Sequence, residues 1–93
     1  MSKVLLVTGG ATGIGAAVAT LGAQRGWTVA ICDVNESVGS ALAEQLGGRF
    51  IHCDVTNLAS VCAAVDECER ELGVPNYAHL NAGIMTGPTG DSY

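Results

Sequence analysis

The first residues that could do chemistry are the glycines of TGGATGIG, Thr8 to Gly15, which holds four glycines in eight residues. This stretch follows directly on the apolar run Val4–Val7 and precedes a segment with helical periodicity. A simple turn needs only one or two glycines, so four indicate that the backbone must approach something closely. The N-terminus of a helix presents unpaired N–H groups and partial positive charge. A diphosphate can bind there when no side chain blocks the backbone.

We expect separate roles for four positions of this stretch. Gly9 supplies a tight turn, Gly13 permits close approach of the diphosphate, and Gly15 lets the helix pack on the strand. The Thr12 hydroxyl adds a hydrogen-bonding group. The spacing Gly9-x-x-x-Gly13-x-Gly15 differs from the common G-x-G-x-x-G, and no Gly-Lys-Ser/Thr follows, so the stretch is not a P-loop. Alone it remains a weak signal, because a ligand-free loop can be equally rich in glycine.

A carboxylate ends the second predicted strand. Asp33 lies 20 residues beyond Gly13, where a carboxylate can accept hydrogen bonds from the two hydroxyls of a ribose. The same carboxylate repels a 2′-phosphate, and Val34 offers no compensating positive charge. The sequence therefore favours NAD over NADP as the bound cofactor. Capping of the following helix is an alternative role for Asp33, and the two roles are compatible.

Two further features end the third and fourth predicted strands. Asp54 can accept a hydrogen bond from an adenine amino group, with Val55 packing on the ring, although capping of the helix near Asn57 explains this aspartate nearly as well. The tripeptide Asn81, Ala82 and Gly83 forms a small-residue turn that lets the backbone pass close to a cofactor. Open parallel sheets bind ligands at the carboxyl ends of their strands, where all these features fall. Their combination predicts a dinucleotide-binding site.

The elements that position these residues alternate between strands and helices. Segments rich in branched or aromatic residues predict the strands Lys3–Thr8, Trp27–Cys32, Arg49–Cys53 and Asn76–Leu80. Apolar residues at helical spacing predict three helices, with stripes Ile14, Val18 and Leu21, then Val38, Leu42 and Leu46, then Leu58, Val61, Cys62, Val65 and Leu72. Asn35 is placed to cap the second helix, and Gly26, Gly47 and Gly73 to end the three in turn. The β-α-β-α-β-α-β order predicts a Rossmann-type, doubly wound parallel α/β sheet, of which residues 1–93 form the N-terminal part.

Composition argues against several classes of function. The 93 residues carry four basic and nine acidic side chains, for a net charge of -5, which disfavours a nucleic-acid partner. The longest apolar run, Val61–Val65, is too short to span a membrane, and Val4–Val7 is too short for a signal-peptide core. We therefore expect a cytoplasmic protein with no membrane partner.

No metal site is predicted. The cysteines lack C-x-x-C or metal-ligand spacing, and their apolar neighbours predict four buried free thiols, at Cys32, Cys53, Cys62 and Cys68. The acidic cluster of the third helix, between Asp66 and Glu71, is interpreted as a solvated face rather than a cation site. On that face Asp66 is expected to pair with Arg70, four residues later.

In combination these residues resemble the short-chain dehydrogenase/reductase family. TGGATGIG matches its T-G-x-x-x-G-x-G motif, Asp33 its NAD-selecting acid and Asp54–Val55 its adenine contact, while LNAG resembles its N-N-A-G with Leu80 in place of the first asparagine. The resemblance implies that the Ile14 backbone lies near the diphosphate and that Ala82 and Gly83 lie near the nicotinamide-side ribose. It also implies reversible hydride transfer between a nicotinamide cofactor and an alcohol or carbonyl substrate, in a homo-oligomer.

The resemblance also implies two catalytic features, a serine and a Tyr-x-x-x-Lys pair. The only lysine is Lys3, so the pair has no match here, and Ser92 and Tyr93 come too soon after Asn81–Gly83 to be the catalytic residues. Hydride transfer at a carbon–oxygen bond needs a proton donor or acceptor. A tyrosine, with a pKa of about 10, can act as that group only when a neighbouring cation lowers its pKa. We therefore assign no catalytic residue and interpret the chain as the cofactor-binding portion of a longer enzyme. One alternative is a non-catalytic nucleotide-binding module. Another, an interaction domain without a ligand, leaves the motifs unexplained.

Overall fold

A computed structural model describes residues 3–9, 11 and 13–80 of the chain. Within them, strands and helices alternate in the order β1 (Val4–Thr8), α1 (Gly13–Gln24), β2 (Thr28–Asp33), α2 (Glu36–Leu46), β3 (Arg49–His52), α3 (Leu58–Glu71) and β4 (Tyr77–Leu80). The predicted order is confirmed, with strand ends that differ by one residue. No helix in this part of the chain is both long and apolar enough to cross a bilayer.

The sheet is parallel and has the strand order β3-β2-β1-β4. β1 pairs with β2 from Val4–Thr28 to Thr8–Cys32, and with β4 from Leu5–Tyr77 to Thr8–Leu80. The chain winds outward from β1 to β3 and then returns to the other side of β1, so the winding direction reverses there. This confirms the doubly wound α/β fold and places the switch point, where such sheets bind ligands, at the carboxyl end of β1.

Helices cover both faces of the sheet, and each face has its own apolar cluster. One cluster joins alternate residues of β1 and β2, such as Leu6 and Cys32, to Ala64 and Cys68 of α3. The other joins the remaining residues of these strands, such as Val7 and Ile31, to α1 and α2. Because β1 and β2 are buried on both faces, their sequences are continuously apolar rather than alternating.

The fully buried positions of the helices are small residues, and the larger residues that pack against the two clusters are only partly buried, namely Val18, Leu42, Leu46, Val61, Val65 and Leu72. The buried positions are Gly15 and Ala19 of α1, Gly39 and Ala43 of α2, and Ala64 and Cys68 of α3. Ile14 is 70% exposed and Leu58 is 77% exposed. Leu21, Val38 and Cys62 are also exposed, so the predicted apolar stripes were wrong at these five positions. Small side chains let a helix approach the sheet closely, and larger neighbours are then left at its flanks.

The predicted caps of α2 are confirmed. The Asn35 side chain accepts a hydrogen bond from the Val38 N–H, and the backbone of Asn35 is extended. At the other end Gly47 adopts φ +71° and its N–H donates to carbonyls of the last turn. Asn35 therefore begins the helix and Gly47 ends it, as the sequence predicted.

Two acidic residues of α3, Glu67 and Glu71, lie near Arg49 at the start of β3. Arg49 Nη2 lies 3.8 Å from Glu67 Oε2 and 3.7 Å from Glu71 Oε1. Arg70 Nε lies 3.9 Å from Glu71 Oε2, so the predicted pairing of Asp66 with Arg70 was wrong. Because these groups remain partly exposed, each ion pair contributes at most about 1 kcal/mol to stability.

Three of the four thiols are buried between α3 and the sheet. Cys32, Cys53 and Cys68 belong to one apolar cluster, and burial raises the pKa of each thiol. Cys62 lies on the outer side of α3 and is exposed, so the prediction of four buried thiols was wrong at this position. All four cysteines are free, as predicted.

We expect iodoacetamide to alkylate Cys62 at least about tenfold faster than the three buried cysteines of the native protein, because the thiolate is the reacting species. Peptide mass mapping over a time course measures the four rates separately. Unfolding in guanidinium should bring the four rates close together. Labelling of native Cys32 as fast as Cys62 would contradict the burial of this cluster.

Candidate functional site

The predicted site residues of β1, β2 and β3 gather at the carboxyl edge of the sheet. Gly9 follows β1, Asp33 is the last residue of β2, and Asp54 comes two residues after β3. Neighbouring strands are parallel and in register, so their carboxyl ends lie side by side. The sequence placed these residues at a common edge, and the structure brings them together there.

The glycine-rich loop between β1 and α1 has the backbone conformation that its glycines permit. Gly9 has φ +63° and Gly13 has φ +62°, in the left-handed region that other residues rarely adopt. Apart from its chain neighbours and its own helix, a Cβ built on Gly13 would meet nothing within 4 Å, so the space beside its backbone is open. Gly15 is buried, as expected for the glycine that packs the helix on the sheet. Thr12 lies outside the described residues.

Asp33 connects this loop to the loop that follows β2. Its Oδ2 accepts a hydrogen bond from the Ala11 N–H at 3.0 Å, and its Oδ1 accepts one from the Asn35 N–H at 3.0 Å. Since Asn35 is the residue that caps α2, the alternative role of Asp33 as that cap was wrong. Val34, beside Asp33, is 57% exposed at the same edge. The carboxylate therefore lies against the glycine-rich loop.

The carboxylate of Asp54 is held by a tight turn. Its Oδ1 accepts hydrogen bonds from the Thr56 N–H at 2.9 Å and the Thr56 hydroxyl at 2.6 Å. These bonds lower the pKa of Asp54 and favour its ionised form. The cap of α3 is Asn57, so the alternative of Asp54 as this cap was also wrong. The carboxylate keeps acceptor capacity on Oδ2.

Sequence reasoning missed two residues that support Asp54. The Ser60 hydroxyl accepts a hydrogen bond from the Asp54 N–H at 2.9 Å, which fixes the turn to the first turn of α3. Thr56 closes the turn from the other side. The order Asp-x-Thr is a signal of such a turn and could have identified Thr56. Ser60 had no comparable signal, because its role depends on where α3 begins.

Of the remaining residues predicted to contact the cofactor, Val55 lies within the described part of the chain. Val55 is half-buried and packs against the cluster that faces α3, so part of its side chain serves the core. Asn81, Ala82 and Gly83 lie outside the described residues. β4 ends at Leu80, which pairs with Thr8 directly before Gly9.

An apolar groove of about 260 Å³ lies toward the amino ends of the strands and is separate from this edge. Leu5, Val18, Leu21, Trp27 and Tyr77 are among its lining residues. None of the predicted site residues lines it.

The carboxyl edge combines a helix N-terminus, an open glycine-rich loop and two carboxylates. The loop and helix suit a diphosphate, because N–H groups and the helix dipole attract anions. The carboxylates suit neutral hydrogen-bond donors, such as ribose hydroxyls or an exocyclic amine. Together these groups have the donor and acceptor pattern of a dinucleotide site.

Comparisons with known proteins agree with this arrangement. A family model described as short chain dehydrogenase matches residues 3–92. Momilactone A synthase of Oryza sativa subsp. japonica is 40% identical over 91 residues, covering 95% of this chain and 33% of that protein. (+)-Borneol dehydrogenase 1 of Salvia officinalis is 44% identical over 89 residues, covering 94% of this chain and 34% of that protein.

Solved structures show the same fold. A structure described as ribose-5-phosphate isomerase from Brucella melitensis 16M superimposes with a TM-score of 0.82 at 32% identity, covering 86% of this chain and 31% of that one. The structure of gox2181 superimposes with a TM-score of 0.80 at 32% identity, covering 85% of this chain and 33% of that one. The chain thus spans about a third of the length of the relatives it matches. Because the family model matches residues 3–92, almost the whole of this chain, the chain belongs to the short-chain dehydrogenase family.

Proposed function

We propose that the chain is the NAD(H)-binding portion of an oxidoreductase that transfers hydride between a nicotinamide cofactor and an alcohol or carbonyl substrate. The observation that supports this most is the 3.0 Å hydrogen bond between the Ala11 N–H and Asp33 Oδ2. A dinucleotide carries its diphosphate next to its adenosine ribose, so the groups that bind the two must also be neighbours. Relatives named as dehydrogenases are consistent with this activity.

The described residues fit such a cofactor. The open space beside Gly13 is large enough that a Cβ there would touch nothing, which leaves room for a phosphate oxygen. We assign the loop of Gly9, Gly13, Ile14 and Gly15 to the diphosphate, with Thr12 beside it, and Asp33 with Val34 to the adenosine ribose. Asp54 and Val55 are assigned to adenine, and Asn81, Ala82 and Gly83 to the nicotinamide-side ribose. When bound, the cofactor supplies the nicotinamide ring that accepts or donates hydride.

The preference for NAD rests on charge around Asp33. Each carboxylate oxygen already accepts one backbone N–H, and each has a second lone pair for a ribose hydroxyl. A 2′-phosphate would instead meet the negative charge of this carboxylate. The sequence has no lysine or arginine between Arg25 and Arg49 that could offset this repulsion locally. We therefore propose that NAD binds more tightly than NADP.

Replacing Asp33 with alanine tests both the site and the preference. We expect the ratio of NAD to NADP affinity to fall at least about tenfold, because NAD loses charged hydrogen bonds and NADP loses a repulsion. Titration calorimetry of the intact protein with each cofactor measures this ratio. Glu36→Ala is the matched control, since it removes an exposed acid three residues away that makes no proposed ribose contact. An unchanged ratio in Asp33→Ala would refute the ribose assignment.

A turnover assay separates the enzyme from a non-catalytic nucleotide-binding module. The intact protein is incubated with NAD and a panel of secondary alcohols, and NADH is followed by its absorbance. We expect NADH to form with at least one alcohol. Tight binding of NAD without turnover of any alcohol would favour the module.

A further inference from the structure

Asp33 binds two backbone segments at once, and one of them is the glycine-rich loop. Its two oxygens accept hydrogen bonds from Ala11, 22 residues earlier, and from Asn35, two residues later. The Asp33 side chain is fixed at its base, because Asp33 ends β2 and pairs with His52 of β3. The hydrogen bond to Ala11 therefore connects the loop to the rigid sheet.

We propose that Asp33 is also a positioning residue, which holds the glycine-rich loop in its anion-binding shape before the cofactor arrives. This inference rests on the proposed function of the loop as the diphosphate site. Gly9 and Gly13, on either side of Ala11, have φ values of +63° and +62°. Glycine has the largest backbone freedom of any residue, so ordering such a loop costs conformational entropy. A charge-assisted hydrogen bond at Ala11 offsets part of that cost before ligand binding.

Two features of the loop make this anchor effective. Ala11 is 5% exposed, so its backbone lies at a packed position, and an N–H there needs an acceptor within the protein. The acceptor is a carboxylate, which forms a stronger hydrogen bond than a neutral oxygen does. The bond to Ala11 occupies only one lone pair of Oδ2, so it leaves the carboxylate able to bind a ribose as well.

The positioning role predicts an effect whose sign differs from that of a ribose contact alone. Inorganic diphosphate carries no ribose. If Asp33 only contacted ribose, its replacement by alanine would remove a nearby negative charge and leave diphosphate binding unchanged or stronger. If Asp33 also holds the loop, the same replacement weakens diphosphate binding despite the lost repulsion. The direction of the change therefore decides between the two.

The first measurement needs no ligand. Hydrogen exchange of the Ala11 N–H is followed in the intact protein, wild type and Asp33→Ala, relative to the buried Ile31 N–H of β2. We expect the relative exchange of Ala11 to accelerate about tenfold in Asp33→Ala, because its hydrogen bond is lost. The second measurement is calorimetric titration with inorganic diphosphate, for which we expect binding at least about threefold weaker in the variant.

Two further variants keep the test decisive. Asn35→Ala removes the cap of α2 but keeps the Asn35 N–H, so it lowers stability without a change in relative Ala11 exchange or diphosphate affinity. Asp33→Asn, which is close in shape, serves if Asp33→Ala does not fold. Its single amide oxygen can accept from only one of the two N–H groups, so hydrogen exchange must accelerate at either Ala11 or Asn35. If Ala11 loses its hydrogen bond, diphosphate affinity must fall. If Asn35 loses its hydrogen bond instead, diphosphate affinity must stay unchanged.

The proposal is overturned if neither N–H exchanges faster in the Asp33 variants, or if Ala11 exchanges faster with no loss of diphosphate affinity. Failure of the proposed function has a different signature. In that case wild-type protein binds neither NAD nor diphosphate, while the exchange of Ala11 still responds to Asp33.

Discussion

Replacing Gly13 with alanine is expected to weaken NAD binding at least about a hundredfold, while lowering the free energy of unfolding by only about 1 to 2 kcal/mol. The small folding cost follows from the structure, because a Cβ at this position would meet nothing within 4 Å apart from its chain neighbours and its own helix. What remains is the strain of a non-glycine residue at φ +62°. The same Cβ would occupy the space proposed for the diphosphate and separate it from the loop amides. Loss of two charge-assisted hydrogen bonds, at about 1.5 kcal/mol each, exceeds a hundredfold in affinity.

Gly47 provides the matched control for this prediction. Its φ is +71°, and a Cβ there would also meet nothing within 4 Å. Gly47 lies at the C-terminal end of α2, which is the end away from the proposed site. Gly47→Ala should therefore lose a similar amount of stability and bind NAD as tightly as the wild type. Thermal unfolding and titration calorimetry of both variants give the two quantities. Equal NAD affinities for the Gly13 and Gly47 variants would place the diphosphate elsewhere.

The order of elements was predictable because it depends on local pattern. Continuous apolar runs at β1 and β2 indicate strands covered on both faces, and Asn35 and Gly47 mark the two ends of α2 through hydrogen bonds within a few residues. The helix faces were less predictable. Apolar periodicity predicts that Ile14 and Leu58 face the sheet, whereas close packing on the sheet buries the small residues of these helices instead.

The location of the candidate site was predictable, whereas the contacts between its residues were not. Parallel strands bring their carboxyl ends together, so the loop after β1 and the carboxylate after β2 had to be neighbours. The bond from Ala11 to Asp33 depends on which way one particular backbone N–H of the loop points. A sequence pattern does not specify that orientation. For the same reason the ion pairs of Arg49 were missed, since they depend on how α3 lies over β3.

The glycine next to Gly47 should behave very differently, because its surroundings are closed. Gly48 lies between α2 and β3, and a Cβ on it would overlap the carbonyl oxygen of Val29 and lie 3.6 Å from the Val29 Cβ. Val29 is 1% exposed on β2, which is held between β1 and β3 by backbone pairing. The overlapped atom is backbone in the middle of the sheet, so it cannot move aside without breaking that pairing.

We therefore expect Gly48→Ala to lower the free energy of unfolding by at least about 3 kcal/mol, measured by urea denaturation. Gly22→Ala is the informative comparison, because its Cβ would lie 2.6 Å from Leu5 Cδ2, the end of a flexible side chain. That contact can be relieved by a rotamer change, and alanine favours the helix, so a loss below about 1 kcal/mol is expected there. If Gly48→Ala proved as stable as Gly22→Ala, β3 and α2 could not lie as closely against β2 as the structure has them. The sheet edge that carries Asp33 is built on that same approach, since Asp33 ends the strand that Gly48 touches.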